Sequence, residues 1–148
     1  MKPVFQCLIA LLLTVFALGA AANEYAGVVK TSKGSVSVER AGGRVALVPG
    51  AAINQGDRIL TGQDGYVGIT MRDDTLLTLG PNSNVALDTY TFDPKTHEGS
   101  FLASLTKGAL SVVTGLIARR SPETFIVKTR ISTMGVRGTE FIVEANEL

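Results

Sequence analysis

The stretch GYVGITMRDDTLLTL, Gly65–Leu79, decides the fold. Val67, Ile69 and Met71 alternate with smaller or polar residues, and Leu77 and Leu79 resume the same beat after Asp73-Asp74. A period of two places one row of side chains on one face of an extended chain, so the stretch predicts two strands folded back on each other. Adjacent aspartates between two such runs form a turn, because their short side chains bond nearby backbone amides. The same residues could be paired catalytic carboxylates. A turn accounts for them with fewer assumptions.

The pattern recurs in both directions. In GSVSVERAGGRVALV, Val36 and Val38 lead to Val45 and Leu47 across Gly42-Gly43, a second hairpin. Further inward rows are Val85 and Leu87, then Phe101, Ala103 and Leu105, then Phe125 and Val127, and last Phe141 and Val143. Turn signals separate them: NQGD, TGQDG, GPNSN, DPKTHEG and TKG. Short strands so punctuated predict an all-β domain, a sandwich, barrel or short β-solenoid. Val112, Val113, Leu116 and Ile117 carry helical spacing before Pro122, which adds one short helix near 111–119. The polar segment Asp93–Gly99 reads as an exposed loop dividing two β-rich halves of similar character.

The N-terminus reads differently. Lys2, an apolar run from Leu8 to Leu18 and Ala20-Ala21-Ala22 form the three regions of a secretory signal cleaved after Ala22. Residues 23–148 are then a single domain in the periplasm, with no membrane span after cleavage. Cleavage removes Cys7, the only cysteine of the 148-residue chain. A disulfide, a thiolate nucleophile and a cysteine zinc site are excluded from the mature protein. Acids and bases nearly balance, with formal net charge +1 and no charge blocks. That argues against nucleic acid or an anionic membrane as the main partner.

Few residues carry candidate chemistry. His97 is the single histidine and lies in the polar loop, so neither a metal site nor a cofactor is expected. Asn82, Ser83 and Asn84 have too few neighbouring carboxylates for a calcium loop and read as a corner after Pro81. Arg119-Arg120 reads as a solvated pair. GVRGT, Gly135–Thr139, lacks the spacing and lysine of a phosphate-binding loop and the serine of a nucleophile elbow. Its glycines predict a bend between strands. Arg137 then either donates to carbonyls freed by that bend or faces a partner, while Val136 and Phe141 pack inward.

Taken in order, GVVKTSKGSVSVER, the run from Leu47 to Leu87, LTKGALSVV and FIVKTRISTMGVRGTEFIVE resemble the FecR domain family. The motif positions are Gly56, Asp57 and Thr61 in GDRILT, and Gly135, Arg137, Gly138 and Thr139 in the late GVRGT-x-F. Two features differ: Arg130 follows Thr129 where members often have proline, and many members continue into a further hairpin. The resemblance implies an exported β-rich module. Its named members are anti-sigma regulators that relay a signal from an outer-membrane iron-siderophore transporter to a cytoplasmic sigma factor. They carry a cytoplasmic segment and a membrane helix, whereas this sequence opens on an export signal, so the expectation is the short, freestanding form. The functional expectation is a non-enzymatic periplasmic binding or signalling-accessory module. It recognises an envelope protein or outer-membrane component through loops or an edge strand, with Arg137 as a candidate contact. An unpaired last edge also allows pairing with a second copy. The alternatives are a cell-envelope polysaccharide binder or structural accessory protein, and a small hydrolase using Asp73 or Asp74.

Overall fold

In a computed structural model of the chain, which describes residues 24–146, twelve strands form one curled sheet whose two halves enclose a common core. In chain order they are β1 (Gly27–Lys33), β2 (Val36–Arg40), β3 (Gly43–Ala46), β4 (Ala52–Ile53), β5 (Arg58–Thr61) and β6 (Tyr66–Met71). β7 (Leu76–Leu79), β8 (Asn84–Phe92), β9 (Gly99–Val113), β10 (Phe125–Lys128), β11 (Thr133–Gly135) and β12 (Glu140–Ala145) follow. A short helix α1 (Leu116–Arg120) and a 3-10 turn (Pro122–Thr124) lie between β9 and β10. The signal segment, Cys7 and its cleavage point fall outside the described residues.

β9 joins the two halves. Its first part pairs with β8 and, in parallel, with β10, and its second part pairs with β7 and β12. One half therefore runs β3-β2-β5-β8-β9-β10-β11 and the other β4-β1-β6-β7-β9-β12. Strands that switch sheets make the corners of such packings, and a bend is needed where they do. Gly108 supplies it, at φ 93°. A Cβ there would lie 2.2 Å from Ser83 Oγ and 2.4 Å from Ser83 Cα, so only glycine fits.

The alternating rows fill the core as their period requires. Val67, Ile69, Met71, Leu77, Leu79, Leu105 and Val127 are all buried. Phe101 and Phe125, opposite each other in the parallel pair, stack with centroids 4.2 Å apart, and Tyr90 meets Phe101 edge-on. The strand order β8-β9-β7 is not the sequential stacking of a solenoid. It is a sandwich-like closure.

Five local expectations are corrected. The segment TKG does not turn but continues β9 through its bend. The helix starts at Leu116, because Val112 and Val113 complete ladders to β7 and β12. The β2–β3 turn centres on Ala41-Gly42, both at positive φ, one residue earlier than the glycine pair suggested. Val45, opposite Val38, stays exposed because β3 is an edge strand. The Asp93–Gly99 segment does not separate two units. It closes the β8–β9 hairpin, and β7 from one side of it pairs with β9 from the other.

Candidate functional site

The family-motif residues were built into corners. Gly56, at φ 89°, opens a turn in which the Asp57 carboxylate accepts from the Asn54 N–H at 2.8 Å. Arg40 grips the same carboxylate with both oxygens engaged, at 2.8 and 2.5 Å, and its Nη2 also donates to the Ala52 carbonyl. Asp57 is buried, so this forked pair compensates a charge removed from water. Thr61 Oγ1 donates to the Gly80 carbonyl and accepts from the Ser83 N–H. Ser83 Oγ in turn accepts from the Ala109 N–H beside the bend of β9. These residues hold the strands in register and offer no reactive atom to solvent.

Asp73 is buried completely, whereas Asp74 next to it is exposed at φ 67°. The Asp73 carboxylate accepts from Tyr90 Oη at 3.0 Å, Thr75 Oγ1 at 2.7 Å and the Ile117 N–H at 3.2 Å. Its backbone carbonyl accepts from the Leu116 N–H at 2.8 Å. Asp73 thus caps α1 from a distant hairpin, in place of the missing cap at Gly115. Burial, and then the nearby Asp73 charge, push the Tyr90 phenol well above its usual range. A carboxylate saturated by buried donors cannot reach a substrate, which removes the hydrolase reading for Asp73.

His97 lies exposed in the β8–β9 loop, stacked on Phe92. Arg119 and Arg120 are exposed at the end of α1, with Arg120 Nη2 3.7 Å from Glu98. Among the described residues no group of three His, Cys, Asp or Glu side chains could hold a metal ion. No described helix is long and apolar enough to cross a membrane.

The GVRGT segment carries the chain from β11, on one half, to β12, on the other. Gly138 has φ 142° and needs glycine for that reason, whereas Gly135 ends β11 without positive φ or crowding. Val136 is buried and Phe141 half-buried. Arg137 is exposed and makes no hydrogen bond or ion pair among the described residues. The bend is tied instead by Thr114, whose Oγ1 donates to the Gly138 carbonyl and whose N–H donates to the Thr139 carbonyl, both at 2.8 Å. The reading of Arg137 as the tie is corrected: a buried hydroxyl at the end of β9 already occupies the freed carbonyls.

Past this corner the two halves end side by side without closing. β11 and β12 are edge strands, and between the β10–β11 hairpin and β12 lies a groove of about 690 Å³. Ile131, Met134, Ile142 and Ala145 contribute its apolar lining, with Arg130 and Glu144 among its polar residues. Ile131 is 88% exposed and Ile142 67%, more than any other large hydrophobic residue among those described. An exposed apolar pair beside an unpaired edge is the strongest surface anomaly of the molecule. Neither isoleucine stood out in the sequence. For Ile142 a signal existed, since inward Phe141 and Val143 force it outward; for Ile131, inside a polar turn, none did.

Comparison with known proteins gives one match: the family described as FecR protein, over residues 57–147. No curated protein and no solved structure matches the chain. The match starts at Asp57, yet β1 and β2 before it share the same core.

Proposed function

The chain belongs to the FecR protein family, which marks it as a signalling-related module, and on that premise we propose that it acts as a non-enzymatic binding module in the periplasm. Its partner is an envelope protein or outer-membrane component, taken up at the open seam between β11 and β12. The observation that carries this reading is the exposed pair Ile131 and Ile142 flanking the groove. Apolar surface left in water beside free backbone donors and acceptors is costly for solubility, and partner strands commonly use such edges. The export signal read at residues 1–22 supports the periplasmic placement. The polar residues with the most suggestive chemistry, Asp57 and Asp73, are consumed by internal bonds, which supports a role without catalysis.

Site-specific photo-crosslinking in intact cells tests the proposal. A photoreactive residue at position 142 should give a discrete adduct with another envelope protein, and one at the exposed Val48 should not. Arg137→Ala should lower the adduct yield if that side chain touches the partner. Absence of any adduct at 142, or the same products from both positions, would refute the docking surface.

A further inference from the structure

We propose that the free edge of β12 accepts an extended partner segment in which two basic residues flank three apolar ones, basic–apolar–apolar–apolar–basic. This rests on the seam being the docking surface, and it specifies the chemistry of the occupant.

Glu140 opposes Val113 in the ladder, so Thr139 opposes Thr114 one step earlier, and there the Thr114 N–H donates to the Thr139 carbonyl at 2.8 Å. In an antiparallel ladder hydrogen-bonded and non-bonded pairs alternate. Thr139, Phe141, Val143 and Ala145 therefore direct their N–H and C=O groups to β9. Glu140, Ile142 and Glu144 direct theirs to the open side.

Side chains set the pattern. Glu140, Ile142 and Glu144 are exposed and share the outer face, an acid–apolar–acid row. On a strand added alongside, the residues directly opposite this row share its face, and opposite charges there stabilise while like charges destabilise. Basic residues opposite Glu140 and Glu144, with an apolar residue opposite Ile142, meet that demand. The intervening residues of the added strand point to the other face, beside Phe141, Val143 and Ala145. They would fill the groove toward Met134 and Ile131. Hence the central residues are apolar on both faces.

A second copy fits this edge poorly. Antiparallel self-pairing with Ile142 opposite Ile142 sets Glu140 against Glu144 at both ends of the contact. Shifting the centre to Glu144 sets that residue against itself. Centring on Val143 avoids direct pairs of like charge but places Ile142 against a glutamate. The acidic row thus acts against homodimers while selecting a basic strand.

The test uses two labelled nonapeptides, Ser-Gly-Lys-Val-Ile-Val-Lys-Gly-Ser and its counterpart with glutamate for lysine, titrated by anisotropy at low salt. The basic peptide should bind at least tenfold more tightly. Glu140→Lys with Glu144→Lys should reverse that preference. Ile142→Pro should abolish binding, since its lost N–H serves only the open side and the β9 ladder survives. If that variant misfolds by circular dichroism, the charge reversal decides alone. Equal binding of the two peptides, or none by the basic one, overturns the inference; persistent crosslinking at 142 would then show that the surface stands and only the assigned chemistry fails. A dimer in sedimentation that is dispersed by the Glu140→Lys, Glu144→Lys variant or by Ile142→Pro would also overturn it, by making a second copy the occupant.

Discussion

Removing the Asp73 carboxylate strands four buried donors, the Tyr90 hydroxyl, the Thr75 hydroxyl and N–H, and the Ile117 N–H. Unsatisfied buried groups cost about 1–3 kcal/mol each, and the losses overlap within one network. Asp73→Ala should therefore cost on the order of 3–5 kcal/mol, measured by urea unfolding. Tyr90 adds a pH signature. Its phenol stays protonated in the fold beyond the pH of about 10 at which an unfolded tyrosine ionises. The stabilisation from its raised pKa is complete below about pH 10 and is lost as pH rises toward the folded value. The stability gap between wild type and Tyr90→Phe should narrow above pH 10, and a gap independent of pH would refute this. At the GVRGT corner, Thr114→Val should cost about 1–2 kcal/mol for its buried hydrogen bond. Arg137→Ala should stay within about 0.5 kcal/mol, as its exposure implies. Local sequence showed that Asp73-Asp74 is a turn, because that chemistry is local. It could not show that one aspartate is buried, because beyond the neighbouring Thr75 its donors come from residues 17 and 44 positions away. For the same reason Thr114 was hidden behind the more conspicuous Arg137.

Elements were legible wherever period two was strong. Every inward position read from the alternation is buried or half-buried except Val45, whose edge position no local pattern encodes. The misreading of TKG has a physical cause. Glycine both turns chains and lets two backbones approach closely, and at Gly108 the second use applies, against Ser83. Gly108→Ala combines strain at positive φ with a direct clash and should destabilise by about 2–5 kcal/mol in chemical denaturation. A cost below about 1 kcal/mol would mean that β9 does not need this bend to pass between the halves.

At the scale of the whole molecule, curling brings the last strands of both halves together, which is why the seam cannot be seen from any single segment. The all-β class and the family pattern could be read from the sequence. The shared strand β9, the groove and the juxtaposition of Ile131 with Ile142 are products of tertiary closure. The buried motif residues Asp57 and Thr61 maintain this frame, and the exposed edge of β12 is where we propose that a partner docks. Residue-resolved hydrogen exchange on β12 tests that division most directly. In the free protein the amides of Glu140, Ile142 and Glu144 should exchange rapidly and those of Phe141 and Val143 slowly, with the fast set becoming protected when the basic peptide is added. Slow exchange at Ile142 in the free protein, or no added protection with peptide bound, would contradict an open, partner-accepting edge.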